Sequence, residues 1–367
     1  MGTDGRVREP GVTPPRVGVM SGPCSNLVAM TPETGPDQAD HASDVNDTTT
    51  ERFTISASTY RTITIVAFVL ILLVVISGAS VRLTGSGMGC ETWPNCSQGE
   101  FIGFTDTNKS IEQANRLFSG IAGIGVAVVA LVGALRLRPY RRDLMWWSVG
   151  MLVGVAGQIP LGGITVLTHL HPAAVGSHFV LSMVLMAIAT VLLWRARHEA
   201  GPTRPRVSPE DVNLSRLAVF TACALMITGP IVTGSGPHAG DQAARRFDFF
   251  IPDVVRIHSV NMWIFLIVTV VLLFRLARTG TPADIMRRGS RLLLAIVVQG
   301  AIGYTQYELG IPAWLVILHV AGATVLLSLM VWFHLGLSVS VAEASVVEAP
   351  AADDLDPHDA DARVPTP

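Results

Sequence analysis

The chain has 367 residues, of which 50% are hydrophobic and only 15% are charged. Soluble domains carry about 25% charged residues, so this composition excludes an ordinary soluble protein. The formal net charge of −2 at pH 7 gives no support for nucleic-acid binding, which needs a basic surface. Together with a mean hydropathy of +0.47, these values predict a membrane protein.

The two ends of the chain differ from its apolar middle. Residues 1–58 are rich in Pro, Gly, Thr and Asp without apolar periodicity, so we expect a disordered N-terminal tail. Its eight acidic residues are unlike a mitochondrial transit peptide, and Met20 and Met30 are alternative translation starts. Residues 339–367 are rich in Ala, Asp and Pro, and we expect a second disordered tail.

Eight apolar segments lie between the tails, several of them near the roughly 20 residues that a helix needs to cross a bilayer. They predict an all-α, polytopic membrane protein with eight transmembrane helices. The third and seventh segments are interrupted by Gly and Pro, so their limits are soft. The predicted spans are 62–83, 113–135, 145–167, 173–195, 215–234, 255–276, 290–309 and 313–337.

Arginines are concentrated in alternate loops, which predicts the orientation by the positive-inside rule. The turns at 168–172 and 310–312 contain no Lys or Arg. We therefore expect a multi-pass protein of the cell membrane with four outer loops and both termini in the cytoplasm. The arginines of the inner loops are Arg136, Arg138, Arg141, Arg142, Arg195, Arg197, Arg204, Arg206, Arg275, Arg278, Arg287, Arg288 and Arg291.

Two stretches, 157–193 and 299–331, repeat one outline: an apolar helix, a turn with Pro, and a second helix that carries a His. Three residue types match at one offset of 141, which indicates an internal duplication. The predicted architecture is two pseudo-symmetric four-helix bundles, 59–196 and 215–338, joined by a cytoplasmic linker at 197–214. The matched pairs are Gln158 with Gln299, Gly162 with Gly303, and His178 with His319.

Histidines inside the predicted spans are candidate haem ligands. A lone His in a helix is often a core residue bonded to a backbone carbonyl, but ionisable groups within a bilayer usually mark a site. His is also a common haem ligand. TGSG recurs at 84–87 and 233–236, and His258 lies 143 residues beyond Asn115.

Four positions, Asn115, His178, His258 and His319, lie within about two turns of the outer ends of their predicted helices. We expect His258 and His319 to bind one haem iron from opposite sides. His178 is expected to bind a second porphyrin, with Asn115 facing it as a weak ligand or none. An iron with one strong ligand keeps a face free for chemistry.

Cys90 and Cys96 stand in the first outer loop with five residues between them. A disulfide is permitted outside the cytoplasm, and we favour that interpretation. A metal site is weaker, because no other Cys or nearby His completes a tetrahedral set. A redox role of the pair stays open.

Glu112 has two interpretations. It stands four residues before Arg116, the spacing of a helical ion pair with a capping role. It also stands one turn from Asn115, beside a porphyrin held by His178, where a proton acceptor or a group that stabilises positive charge is useful.

Taken together, these motifs resemble those of the haem A synthase family of bacteria and mitochondria. The resemblance covers about residues 60–337. The motifs are RLTGSGMGC and ETWPNC after the first span, E-x-x-N-R at 112–116, LGGITVLT and HLHP before His178, TGSGPHAGD at 233–241, RIHS at His258, and His319.

The resemblance implies oxidation of the C8 methyl group of haem O to a formyl group, with water as oxygen source. The product, haem A, serves cytochrome oxidase biogenesis. It also implies a haem b held by His258 and His319, substrate haem in the N-terminal half, Glu112 as catalytic carboxylate, and Cys90 and Cys96 as the paired loop cysteines. Many members carry a haem-ligating His where this chain has Asn115, so bis-His ligation of substrate haem is not expected here.

The implied partners are haem O synthase and an electron acceptor in the membrane. A di-haem carrier exchanging electrons with quinone is the alternative; it uses the same histidines but needs no carboxylate beside a porphyrin. A transporter is a third interpretation, since repeated halves are common there. It predicts polar residues near the membrane centre, whereas here they cluster at the outer ends.

Overall fold

The structure is a computed structural model that describes residues 53–348, with side chains described up to residue 344. Most of the two predicted tails therefore lies outside the described residues. Within that range the chain forms long helices, one short helix and two short strands. They are α1 (Ala57–Leu83), α2 (Thr107–Arg136), α3 (Arg142–Leu167), α4 (Pro172–Arg197), β1 (Thr203–Pro205), α5 (Pro209–Ser235), α6 (Ile251–Arg278), α7 (Ala283–Glu308), α8 (Ala313–Leu335), β2 (Ser338–Ser340) and α9 (Val341–Glu348).

Several helices begin before the apolar segments that predicted them, because polar residues cap their first turns. The Asp106 carboxylate accepts a hydrogen bond from Lys109 N at 2.9 Å at the start of α2. Ser208 Oγ accepts one from Asp211 N at 3.2 Å at the start of α5. Such caps satisfy amides that have no partner within the helix. The expected capping role of Glu112 is wrong, since Asp106 caps α2.

Seven of the described helices are long and apolar enough to cross a membrane. Helix α7 is not among them, because charges at 284, 287, 288, 291 and 308 shorten its apolar stretch. Large apolar side chains also cover the outside of the molecule, such as Ile121 at 75% and Phe220 at 70% exposed. A surface of this kind suits lipid rather than water. The chain is thus an all-helical, multi-pass membrane protein.

The helix contacts divide the chain into two groups of four. In the first group α1 and α3 each contact both α2 and α4, and in the second α5 and α7 each contact both α6 and α8. Helices α4 and α8 connect the groups. The first core includes the fully buried Tyr60, whose hydroxyl is 3.0 Å from Ser148 Oγ. The second is built around Phe265 and Phe333.

The turns between α3 and α4 and between α7 and α8 have the same hydrogen bond. Leu170 N donates to Thr165 O at 2.8 Å, and Ile311 N donates to Gln306 O at 2.7 Å. These bonds close the helix ends as in a Schellman motif. Both donors have a positive φ, 57° at Leu170 and 62° at Ile311. The 141-residue offset therefore extends to the turns that precede His178 and His319.

Strands β1 and β2 form an antiparallel pair, with Thr203 opposite Ser340. Sequence patterns predicted neither strand, because 197–214 was expected to be linker and 339 onward a disordered tail. The expectation is wrong for the described part of the tail, where backbone hydrogen bonds order the chain. Arg206 N donates to Leu337 O at 2.8 Å, and Val341 N donates to Pro202 O at 3.0 Å.

Candidate functional site

His258 on α6 and His319 on α8 face each other in the C-terminal half. Their ring centroids are 6.4 Å apart, and the ring planes are inclined by 66°. His258 is the eighth residue of its helix and His319 the seventh. At 1.5 Å per residue both lie about two turns from the helix start. The structure thus brings together the two residues predicted to share one iron.

The hydrogen bonding of His258 leaves one ring nitrogen free to bind a metal. Its Nδ1 lies 2.8 Å from Thr228 Oγ1. The Thr228 hydroxyl also lies 3.0 Å from Ala224 O, to which it can only donate. With the hydroxyl proton directed there, Nδ1–H would be the donor in the bond to Thr228. The lone pair is then on Nε2. Metal-binding histidines are commonly held in this way by a partner on the other nitrogen.

The backbone of His319 is held by the helix before it. Gln299 Nε2 donates to His319 O at 2.7 Å. Gly303 leaves space for the ring, because a Cβ placed there would lie 3.1 Å from His319 Cε1. The Nδ1 atom of His319 is buried without a hydrogen-bond partner among the described residues. A larger residue than Gly at 303 would crowd the imidazole.

His178 in the N-terminal half has the same supports. Gln158 Nε2 donates to His178 O at 3.3 Å and to Ser182 Oγ at 2.7 Å. A Cβ on Gly162 would lie 3.3 Å from His178 Cε1. His178 Nδ1 is likewise buried without a partner in the described part of the chain. The three residues matched at an offset of 141 therefore make matching contacts.

Asn115 on α2, the residue that corresponds to His258, lacks the hydrogen-bond partner that Thr228 provides for His258. Its Oδ1 is buried and has no hydrogen-bond partner among the described residues. A buried amide oxygen without a partner is costly, and a bound group is one way to satisfy it. An amide is a weaker ligand for iron than imidazole, so the N-terminal half offers one strong ligand, His178.

The paired histidines fit a haem. With metal–imidazole bonds of about 2.0 Å, two rings on opposite faces of one iron have centroids roughly 6 Å apart, close to the 6.4 Å found here. Residues 53–344 contain no group of three or more His, Cys, Asp or Glu side chains that could hold a bare metal ion. A porphyrin supplies the in-plane ligands itself and needs only axial ones.

The loop between α1 and α2 contains the predicted disulfide, Cys90–Cys96, and both cysteines are fully buried. The loop is fastened to α2 by Glu112 and Arg116. Cys90 N donates to Glu112 Oε2 at 2.8 Å. Arg116 donates to the carbonyls of Cys90 and Thr92, each at 3.2 Å. These bonds place the disulfide against the N-terminal end of α2.

Glu112 also forms the ion pair that its spacing allows. Arg116 Nη2 lies 2.6 Å and Nε 3.0 Å from Glu112 Oε1, and Glu112 is only 5% exposed. Pairing and hydrogen bonds offset the cost of burying the carboxylate. Most of its acceptor capacity is taken by Arg116 and the loop, so Glu112 has a positioning function. Its catalytic role stays a prediction.

The end of α1 and the loop after it also contact the end of α5 and the loop that follows α5. Arg82 at the end of α1 donates to His238 O at 2.7 Å and to Thr233 O at 3.0 Å. Gly87 N donates to Gly240 O at 2.9 Å. These contacts link the chain around the first TGSG segment to the chain around the second, which their repetition alone did not predict.

Sequence reasoning missed three residues around the candidate ligands. Thr228 bonds His258, and Gly229 faces the same ring, since a Cβ placed on this glycine would lie 3.5 Å from His258 Cε1. A signal existed, because Ile-Thr-Gly at 227–229 resembles Ile-Ser-Gly at 76–78. Trp93 lies against Gly163, next to the glycine that faces His178. No periodic pattern could have predicted that contact.

Comparison with known proteins identifies the family. The model of the COX15-CtaA family, described as cytochrome oxidase assembly protein, matches residues 61–253, just over half of the chain. The chain belongs to this family. The matched range contains the disulfide, Glu112, Asn115 and His178, and it ends before His258 and His319.

Relatives from Bacillus species match shorter stretches. A Heme A synthase of Bacillus pumilus (strain SAFR-032) is 28% identical over 134 residues, which cover 36% of this chain and 43% of the relative. A Heme A synthase of Bacillus cereus (strain AH187) is 32% identical over 124 residues, covering 33% and 39%. The same figures hold for one from Bacillus anthracis (strain CDC 684 / NRRL 3495). The chain thus spans about two fifths of the length of the relatives it matches.

Proposed function

We propose that this protein is a haem A synthase, an oxidoreductase that converts the C8 methyl group of haem O to a formyl group. The single observation that carries the proposal is the pairing of unequal halves. One half has two facing histidines within its helices, whereas the other has His178 at the matching helix position. The same half contains Asn115, whose amide oxygen has no partner among the described residues, and the buried carboxylate of Glu112. The family and the names of the relatives support the same activity.

The C-terminal half is the proposed haem b site, and His258 and His319 are the residues that would hold the iron. A haem b held by two histidines would supply one-electron transfer. Thr228 orients one ligand and Gln299 holds the backbone of the other. The helices, rather than a loop, fix both side chains.

The N-terminal half is the proposed site for substrate haem O, with His178 as the strong ligand. Conversion of a methyl to a formyl group adds the oxygen of one water molecule and releases two electron pairs and their protons. The electrons go to a membrane electron acceptor. Glu112 is the proposed residue that stabilises positive charge at the reacting carbon or accepts a proton from the attacking water. Arg116 holds that carboxylate at the outer end of α2.

The same proposal includes the finer architecture. We infer that α7 is the eighth transmembrane helix, supported by exposed apolar side chains at Leu294 and Val297. The two groups of helices are then pseudo-symmetric four-helix bundles, 59–196 and 215–338, supported by the matching contacts of His178 and His319. The arginine-rich loops support a cell-membrane protein with cytoplasmic termini. Haem O synthase is the proposed source of substrate.

A di-haem electron carrier is the second candidate, and the facing histidines alone suit it equally well. Glu112 favours the enzyme, because besides fastening the loop it places a buried carboxylate beside Asn115, which electron transfer alone does not need. Extraction of the pigments from purified protein distinguishes the candidates. A synthase is expected to carry haem b together with haem O and haem A. Haem b alone would indicate the carrier, and a protein without haem would support a transporter.

A further inference from the structure

Trp93 lies between the two cysteines of the disulfide loop, and it reaches a second helix. Its indole lies against Gly163 of α3. A Cβ placed on Gly163 would be 2.7 Å from Trp93 Cδ2, 2.9 Å from Cε2 and 3.0 Å from Cε3. No side chain other than hydrogen fits at 163 without moving the indole. The loop therefore bridges α2, through Glu112 and Arg116, and α3, through Trp93.

The contact is next to the proposed substrate ligand. Gly162 and Gly163 are consecutive in α3; the first faces the His178 ring and the second faces the Trp93 indole. Consecutive residues of a helix point about 100° apart. The imidazole and the indole thus occupy neighbouring sectors around one turn of α3. Trp93 is 38% exposed, so part of the indole is available for another contact.

The other half has no such contact among its described residues. Position 304 corresponds to 163 at the offset of 141, and it is Tyr304 instead of Gly. Its hydroxyl accepts a hydrogen bond from Trp263 Nε1 at 3.0 Å, so this aromatic pair is formed between α6 and α7. Of the two matched positions, only 163 in the His178 half is a glycine that admits a loop residue.

Aromatic residues near the ends of membrane helices often act only as interfacial anchors. An anchor needs no glycine opposite it, and a disulfide is not required to hold it. Here the disulfide, the Arg116 hydrogen bonds and the glycine all fix the position of one indole. A role in positioning accounts for all three features.

We propose that Trp93 is a positioning residue of the N-terminal site. Packed against Gly163, it keeps the disulfide loop beside His178 and thereby determines the affinity for haem O. This inference rests on the proposed function, since it takes haem O as the ligand of that half. It adds two residues to the site, Trp93 and Gly163, and Gly163 affects binding only through its contact with Trp93.

A double-mutant cycle tests the pair in the full chain with haem b bound. The variants are Trp93→Ala, Gly163→Ala and the two combined. Gly163→Ala adds a single methyl group and raises helix propensity, so it does not weaken α3 itself. Haem O binding is measured by titration. Binding at the N-terminal site is the part that His178→Ala abolishes. Tyr304→Ala, the matched change in the other half, should retain it. Hydrogen exchange of the loop amides is recorded without haem O.

Each single variant is expected to weaken haem O binding about tenfold and to speed exchange of the loop, and the double variant to be no worse than either single one. Trp93→Phe should recover most of the affinity, while the haem b spectrum stays constant. Affinity within about twofold of the parent in both single variants would overturn the inference, as would effects that multiply in the double variant. If the parent shows no His178-dependent binding, the proposed function fails and this inference with it.

Discussion

Replacement of His258 or His319 by Ala is expected to abolish the low-spin spectrum of haem b. The two rings face each other at a centroid distance of 6.4 Å, and under the proposed function both would hold the haem b iron. Removal of one ligand leaves a five-coordinate iron that is held weakly. Absorption and electron paramagnetic resonance spectra of the purified variants, with haem content per protein, measure the loss.

Two further variants serve as comparisons for the loss of the haem b spectrum. Thr228→Val removes the partner of His258 Nδ1 but leaves both ligands, so haem b affinity should fall about 10–100-fold. His178→Ala should leave the haem b spectrum unchanged, because that residue belongs to the other half. The assignment is wrong if both ligand variants keep a six-coordinate low-spin haem.

Glu112→Gln is expected to lower the rate of haem A formation about 10²–10⁴-fold, the usual contribution of a general acid–base group. Gln keeps the size of the side chain and an oxygen for the Cys90 amide, but it loses the charge that pairs with Arg116. Haem O or a partly oxidised product should accumulate, and haem b should remain. Quantification of the extracted haems by chromatography measures each species.

The structure makes a stricter control necessary, because Glu112 also fastens the disulfide loop. Arg116→Lys keeps a positive charge but cannot reach every carbonyl that the guanidinium binds. A catalytic Glu112 predicts a larger loss in Glu112→Gln than in Arg116→Lys. Glu100→Gln, a surface change in the same loop, should have no effect. Equal losses of activity in the two variants would show that Glu112 only fastens the loop. Normal activity of Glu112→Gln would show that Glu112 is not catalytic.

Apolar patterns predicted the helices well, because bilayer-spanning segments must satisfy their backbone hydrogen bonds internally. The repeat at 141 residues matched in sequence the glycines and glutamines that the structure places against His178 and His319. Polar residues limited the prediction elsewhere. Asp106 and Ser208 start α2 and α5 before the apolar segments, and the charges of α7 make its apolar stretch short.

Contacts between distant segments could not be predicted from sequence patterns. The bond between Thr228 and His258 requires the relative rotation of α5 and α6, which apolar patterns do not determine. The seat of Trp93 on Gly163 joins a loop to a helix 70 residues later, and β1 pairs with β2 across most of the second half. Such contacts depend on packing rather than on local preference.

The most direct test of the proposed activity is conversion of haem O in cells. The chain is expressed in a bacterial host that makes haem O and lacks any haem A synthase, and membrane haems are extracted and separated. We expect haem A in membranes that contain this protein, with its formyl oxygen derived from labelled water. Membranes with abundant, haem b-loaded protein and haem O but no haem A would contradict the proposed activity.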